Sequence, residues 1–558
     1  MSVASPRVAV AVIEELLASG VRDIVLAPGS RSAPFALALA DAERRGLLRL
    51  HVRIDERSAA YLALGLARGS GLPVAVVTTS GTAAVNLHPA IVEAAYSGVP
   101  LVALTADRPG ALRGSGANQT IEQPGLFASD VVAEVDVEGL DEAALRQSVA
   151  HVLDIAVGER PGPVHLNVPL TEPLVAAGHH AIGEVTVRVR DARPLPLRPA
   201  LSALVPAGVD LARGIIVAGD FDDPVIRDDA SDLAQALGWP LVSEPSGNLS
   251  TSPAAVRHGP MLLATAGAGD LMPEVVVTLG RVGLHRSVSA VMRSAKAHIA
   301  VDVPPRLGRV DPLRTASVVV DAVPSAEGVT LDAGWARRWA EADAMAAAVI
   351  AGALDGDVLS GPVVARIVAQ HADAEDLLVV GASWPVRHVS SYAGALRATC
   401  AGNRGTSGID GVVSTAWGTA IAHADRHPHA TTLALLGDLT ALYDRNGLLV
   451  PMREAHPRLD YIVIDNDGGG IFSSLEQGAP DFAGDFDRVF GTPHGGDITA
   501  LLQAPGIEVV LASTVAELRA LLDQEATGVR VIVARGVARA DEAALLRGLQ
   551  SAVDAALH

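Results

Sequence analysis

Apolar runs too short for helices, each ending in a loop and followed by a helical pattern, recur along nearly the whole chain. VRDIVLA (21–27), RLHVRI (49–54), PVAVVTT (73–79), VPLVALTA (99–106) and PVHLNVP (163–169) form a first series. RGIIVAG (213–219), PEVVVTLG (273–280) and AHIAVDV (297–303) form a second. DLLVVGAS (376–383), TTLALLGD (431–438), LDYIVIDN (459–466) and VRVIVARG (529–536) form a third. Strands that are apolar on both faces need helices on both faces, the arrangement of a parallel, doubly wound sheet. The expected fold class is α/β, three doubly wound parallel-sheet domains in tandem. The length of 558 residues agrees, because it exceeds what one core organises.

Boundaries are expected where the pattern stops. The Pro-rich stretch ARPLPLRPALSALVPAG (192–208) reads as a linker, and a second irregular stretch falls around 322–345. The domains are then 1–185, 186–345 and 346–558. Aromatics are only 3%, so the cores are built from Ala, Val, Leu and Ile. A single cysteine, Cys400, excludes an intramolecular disulfide framework and fits a reducing compartment. The opening segment is interrupted by Pro6, Arg7, Glu14 and Glu15, unlike a secretory signal, and no apolar run is long enough for membrane insertion. A cytoplasmic location is expected. The net charge of −20 argues against nucleic acid as a partner. It leaves room for an anionic small substrate, because a local arginine cluster sets the field inside a cleft.

Open parallel sheets bind ligands at the loops that follow the carboxyl ends of their strands. The most informative of these loops hold Gly437–Asp438 and Asp465–Asn466, with 25 residues between GDL and DN. That spacing fits one helix returning to an adjacent parallel strand, so Asp438 and Asn466 are expected at one end of the sheet. A carboxylate, an amide oxygen and a backbone carbonyl from the DGGG turn suit Mg²⁺, which prefers oxygen ligands and completes its shell with phosphate and water. The N–H groups of Gly468, Gly469 and Gly470 approach a diphosphate easily. Either acidic or amide residue alone is more simply a cap. Their matched positions point to a metal.

With these motifs the chain resembles the thiamine-diphosphate enzyme superfamily, whose signature is GDG, some 25 residues, then NN. Leu439 and Asp465 depart from that signature without touching the implied ligands. The resemblance implies thiamine diphosphate and Mg²⁺, for which Mn²⁺ substitutes, with Asp438, Asn466 and the Gly468 carbonyl on the metal. It places Ser80, Gly81, Gly437, Leu439, Gly469 and Ile471 at the cofactor, and a bulky side chain beneath its bend, Ile409 first and Val413 second. IDERSAAY supplies Glu56, implied to bond N1′ of the aminopyrimidine, with burial raising its pKa. In the superfamily Glu56 and Asp438 meet across subunits, which implies a homo-oligomer, a dimer at least and a tetramer by expectation.

Further segments resemble the menaquinone-pathway branch, which decarboxylates 2-oxoglutarate and adds the product across the enoate of isochorismate. They include PGSRSAPF (28–35), TTSGTAAVNLHPA (78–90), LTADRP (104–109), ANQTI (117–121), GRVGLHR (280–286), NRGTSGIDG (403–411) and DNDGGGIFSSL (465–475). Both substrates are dicarboxylates, and arginine's planar fork suits carboxylates. Arg31, Arg108, Arg286, Arg387 and Arg404 lie in the matched loops, with Ser30, Asn118, Gln119 and Ser383 beside them. One or two of the five are expected in structural ion pairs with acids such as Asp107 or Asp410. Arg387 and Arg404 are assigned to isochorismate and counted with Glu56 as catalytic. Ile471, Phe472 and Leu475 would form an apolar wall. His51, His88, His285, His388 and His494 lack metal or triad spacing and read as surface, core or supporting groups. The rivals are an acetolactate synthase-like carboligase and a non-catalytic cofactor-binding regulator, the latter disfavoured by Glu56. No GxGxxG follows the first strand, which sets aside a Rossmann dehydrogenase.

Overall fold

The computed structural model describes residues 4–175, 180–189, 196–303, 307–308, 310–329 and 332–557. The first sheet contains β1 (Asp23–Leu26), β2 (Arg49–Val52), β3 (Val74–Thr78), β4 (Leu101–Asp107), β5 (Ala133–Asp136) and β6 (Val164–Pro169), in the order β2-β1-β3-β4-β6-β5. The second holds β7 (Gly214–Ala218), β8 (Leu241–Ser243), β9 (Val275–Leu279), β10 (Ala297–Val301) and β11 (Val318–Val320), ordered β11-β10-β9-β7-β8. The third holds β12 (Leu377–Val380), β13 (Thr399–Ala401), β14 (Thr432–Gly437), β15 (Leu459–Asp465), β16 (Glu508–Ala512) and β17 (Val529–Arg535), ordered β13-β12-β14-β15-β17-β16. Neighbouring strands pair in parallel in all three, as the apolar runs predict.

Central strands such as β1, β3 and β4 are buried at every residue. Each buried Val, Leu or Ile contributes about 1.5–3 kcal/mol relative to exposure, and this holds helices on both faces. Five strands escape the sequence pattern: β5, β8, β11, β13 and β16. All five lie at sheet edges.

Two linker expectations need adjustment. Residues 192–195 of the Pro-rich stretch lie outside the described ones, and Leu201–Leu204 forms a helical turn. The stretch expected to be irregular around 322–345 becomes helical at Ala333, and that helix continues to Ala353, through residue 345. Asp332 caps it by accepting from the Gly334 N–H, and Trp335 and Trp339 bury its inner face.

The helix Glu56–Ser70 follows β2, and the helix Val412–Ala424 follows β13, the equivalent strand of the third sheet. The two pack closely against each other. A Cβ on Gly65 would meet the Thr415 carbonyl oxygen at 2.1 Å, and one on Gly418 would meet the Leu62 carbonyl oxygen at 2.2 Å. Among the described residues no helix is long and apolar enough to cross a membrane.

Candidate active site

β14 and β15 are adjacent and in register, with Gly437 opposite Ile464, so the residues after them emerge together at one sheet end. Asp438 opens the helix Asp438–Tyr443 and is 2% exposed. Its Oδ1 accepts from the Leu439 N–H at 2.6 Å and its Oδ2 from the Gly468 N–H at 2.7 Å. Burial pushes this carboxyl up to about 6, with the charge of Asp465 adding; the two amides and His494 oppose the shift. His494 Nε2 lies 3.0 Å from Asp465 Oδ1 and 3.8 Å from Asp438 Oδ2. Ligand-type atoms of Asp438, Asp465 and His494 all fall within 4.8 Å of one another. Asn466 donates its Nδ2 to Glu542 Oε2 at 3.0 Å, which leaves the amide oxygen as its remaining ligand atom.

The glycine turn is required by crowding. A Cβ at Gly468, where φ is +125°, would meet the Gly491 carbonyl oxygen at 2.1 Å, and one at Gly470 would meet the Trp384 ring at 2.2 Å. A buried carboxylate, an amide oxygen and a turn without side chains make a donor set that fits a small hard cation carrying a diphosphate.

One cavity gathers most of the residues singled out in the third domain. Ser383, Ile409, Gly437, Asp438, Leu439, Asn466, Gly468, Gly469, Ile471 and Phe472 all line it. Val413 does not; it is buried in the core, and its carbonyl accepts from the Tyr461 hydroxyl at 2.7 Å. Leu475 also stays outside the lining. Trp384, Pro385 and His388 line the cavity without a motif to announce them, and Thr440 and Ile464 join it from beside the Asp438 and Asn466 motifs.

Arg387 and Arg404 are not part of this lining. Arg387 lies one turn along the Trp384–Tyr392 helix and donates to the Ser383 carbonyl at 2.8 Å. Arg404 is buried. Burial lowers the Arg387 pKa, and repulsion from Arg404 lowers it further. Nearby His285, its Nε2 3.0 Å from Ser390 Oγ, is pushed down to about 3 by burial and then by both arginines. It is therefore neutral and adds no charge. Glu244 reaches in from the middle domain, held by the N–H groups of Gly283 and Leu284 at 2.7 and 2.8 Å. Burial raises its pKa and Arg404 opposes that rise. Arg387 and Arg404 are close enough to repel each other, and their combined positive charge suits an anion.

A second cluster sits at the mouth of the first sheet. Arg31 follows β1 in the loop with Ser30, and donates to the Leu170 carbonyl at 2.9 Å; burial and then Arg108 lower its pKa. Arg108 follows β4 and donates to the Asn118 carbonyl at 2.5 Å. Ser80 Oγ donates to the Gln119 carbonyl at 3.0 Å, and the Gly81 N–H donates to Gln123 Oε1 at 3.0 Å. Arg286 joins neither cluster. It is 74% exposed and pairs with Glu476 at 2.9 Å. Two of the five loop arginines thus hold ion pairs, Arg286 with Glu476 and Arg31 with Glu172 at 3.6 Å, whereas Asp107 and Asp410 pair with Arg113 and Arg57, outside the five.

Glu56 starts its helix in a half-exposed position, 3.5 Å from Asn86 Nδ2, and does not line the cavity. The burial expected for it is absent in the single chain. His51 and His88 pair with Asp23 and Asp130 in the first domain, both at 2.9 Å and away from the cavity.

Three doubly wound parallel sheets, the third ending in an acid and an amide over a glycine turn, are the build of a thiamine-diphosphate enzyme. Residues 6–126 match the family model for the thiamine pyrophosphate enzyme N-terminal TPP binding domain. Over 562 residues, 98% of both chains, the protein is 44% identical to the 2-succinyl-5-enolpyruvyl-6-hydroxy-3-cyclohexene-1-carboxylate synthase of Thermobifida fusca. It is 40% and 41% identical to the synthases of the same name from Saccharopolyspora erythraea and Mycobacterium avium, again over 98% of each chain. The chain belongs to this synthase family.

Proposed function

We propose that the chain decarboxylates 2-oxoglutarate and adds the remaining four-carbon unit to isochorismate in a 1,4-addition. The products are 2-succinyl-5-enolpyruvyl-6-hydroxy-3-cyclohexene-1-carboxylate, a menaquinone precursor, and CO₂. The observation that carries this reading is the pair Arg387 and Arg404, close enough to repel each other, with Arg387 bonded at 2.8 Å to the carbonyl of Ser383, which lines the cavity that ends in Asp438 and Asn466. A monocarboxylate such as pyruvate needs less positive charge than the two arginine clusters supply.

Thiamine diphosphate, when bound, supplies the electron sink that lets the C1–C2 bond of a 2-oxo acid break with its pair kept at carbon. Asp438, Asn466 and the Gly468 carbonyl would hold Mg²⁺; the Gly469 N–H is spent on the Gly491 carbonyl at 2.7 Å, so Gly469 would serve the diphosphate by presenting no side chain to it. Gly437, Leu439, Ile471 and Ile409, all in the cavity lining, would hold the cofactor, with Ile409 as the bulky side chain beneath it. Ser80 and Gly81 would serve the pyrimidine end, where Glu56 would hydrogen-bond N1′ and so supply the acid–base group the bound cofactor needs. Arg387 and Arg404, with Ser383, bind the isochorismate carboxylates. Ser30, Arg31, Arg108, Asn118 and Gln119 complete the substrate pocket from the first domain. Phe472 and Ile471 exclude the water that would otherwise protonate the nucleophilic carbon.

Glu56 lies outside its own chain's cavity, which supports a site completed by a second copy, so the active form is a dimer at least and a tetramer by family resemblance. The first domain, 1–185, then serves the pyrimidine end, 346–558 the diphosphate and metal, and 186–345 lies between. The single cysteine, buried, supports a cytoplasmic setting.

The test is mass spectrometry of the products from 2-oxoglutarate and isochorismate with thiamine diphosphate and Mg²⁺, omitting each in turn. The expected result is an adduct formed with loss of CO₂ that disappears with any omission. CO₂ release from pyruvate instead, with no adduct, would favour the acetolactate synthase-like reading. Cofactor binding without any turnover would favour a regulator.

A further inference from the structure

The last helix of the chain, Arg539–Leu557, adds no residue to the cavity, yet its Glu542 is 0% exposed. The carboxylate is used at both oxygens. Oε2 accepts from Asn466 Nδ2 at 3.0 Å and Oε1 accepts from the Gly361 N–H at 3.1 Å. His388 Nε2 stands 2.9 Å from Oε1, at ion-pair distance but without hydrogen-bond geometry. A Cβ at Gly361 would meet Oε1 at 2.1 Å, so glycine there makes room for the acid. All these partners lie on other elements, so capping of its own helix does not account for a buried carboxylate.

The two ends of an asparagine amide have nearly the same shape, and only the neighbours decide which end points where. A carboxylate offers no donor, so it accepts the nitrogen end alone. We propose that Glu542 is a positioning residue that fixes the Asn466 amide with its oxygen towards the Mg²⁺ site. This inference rests on the metal reading above. Glutamine cannot replace it. If the oxygen of the substituted side chain faces Asn466, its NH₂ meets the Gly361 N–H, donor against donor. If it turns round, the Asn466 amide must flip and present nitrogen to the cation.

The full chain is titrated with Mn²⁺ in the presence of thiamine diphosphate, and free Mn²⁺ is read by electron paramagnetic resonance. No binding by the parent chain would overturn the metal reading and this inference together. Where the parent binds, Glu542→Gln is expected to weaken Mn²⁺ about 10- to 100-fold. The pair Glu542→Gln with Asn466→Asp is expected to recover most of that loss, because the aspartate accepts from the glutamine with one oxygen and offers the other to the metal. Parent-like affinity in Glu542→Gln, or no recovery in the pair, would overturn the role of Glu542 alone. If Glu542→Gln does not accumulate folded, Asn466→Asp decides. Facing the Glu542 carboxylate, it is expected to bind Mn²⁺ no more tightly than the parent despite its added charge, and tighter binding refutes the proposal.

Discussion

The first and third sheets share one strand order, 2-1-3-4-6-5 when strands are counted within each, and the helices after their second strands pack on each other. Equivalent loops carry different chemistry. Where the third strand ends, the first sheet has Ser80–Gly81 and the third has Gly437–Asp438. Where the fourth strand ends, the first has Asp107 and the third has Asp465–Asn466. Asp107 is fully buried but receives Arg113 at 2.8 Å and Asn167 Nδ2 at 3.0 Å. Asp438 is almost as buried, and among the described residues no lysine or arginine lies within ion-pair distance of it. A buried acid neutralised within the chain is a structural pair. One left with no lysine or arginine, and only His494 at 3.8 Å, is a place for a cation.

The largest effect should separate these two acids. Asp438→Asn is expected to lower kcat/KM at least about ten-thousandfold by removing the metal's anionic ligand, with little net change in thermal stability, since removing a buried charge offsets the one backbone N–H, of Leu439 or Gly468, that the amide NH₂ then faces. Asp107→Asn leaves Arg113 short of its carboxylate and is expected to lower stability, by about 1–3 kcal/mol. Kinetics and thermal melts of the two variants check the pair, and identical profiles would break the comparison.

The second effect asks whether the two mouths work within a chain or between chains. Glu56→Gln is expected to reduce turnover about a thousandfold while thiamine diphosphate still binds. Mixing Glu56→Gln with Asp438→Asn chains then discriminates. If sites form between subunits, a hybrid dimer has one doubly altered site and one intact site, so reassociated mixtures recover about a quarter of parent activity. No recovery after verified subunit exchange would place Glu56 and Asp438 of one chain in one site.

A third effect probes the contact between the matched helices. Gly65 and Gly418 each face a backbone carbonyl of the other helix at a distance that excludes a methyl group. Gly65→Ala and Gly418→Ala are each expected to destabilise by about 3 kcal/mol, after the helix propensity of alanine offsets about 1 kcal/mol of the overlap. Thermal unfolding reads this directly. A loss in only one variant would show that the two helices do not bear on each other equally.

The two sheets also show what a sequence can display. β1, β3, β4, β14, β15 and β17 are legible because both faces are buried, so nearly every residue is apolar. β5, β11 and β16 pair on one side only and are largely half-exposed or exposed; their apolar runs are interrupted by acids in β5 or short, VVV in β11 and VVLA in β16. Asp438, Asn466 and the glycine turn are legible because they are local and follow strands directly. Glu542 is not: it lies 76 residues beyond Asn466, in a helix whose acidic first turn looks like an ordinary response to the helix dipole. His494 is hidden in the same way, since only the fold brings it to Asp465. Arg286 errs in the other direction. Its loop resembles the family, but its side chain turns outward to Glu476.

The smallest effect concerns the acid that joins the two halves of the comparison. Asp444, at the end of the helix begun by Asp438, accepts from the Ser414 N–H at 2.7 Å and from Arg57 of the first domain at 3.2 Å. Burial pushes its carboxyl up to about 6, against the opposing pull of the Ser414 amide and Arg57. In the unfolded chain it ionises near 3.8. Between those values the folded chain holds a proton that the unfolded chain has lost. The stability from this group is therefore full below about 3.8 and is lost as pH rises through about 6. Asp444→Asn carries no such dependence. Relative to the parent, the variant is expected to gain about 2 kcal/mol between pH 4.5 and 7, read from paired thermal midpoints. A constant difference across that range would mean that Arg57 fully compensates the buried charge. The contact between the first and third domains would then rest on an ion pair as complete as that of Asp107 and Arg113.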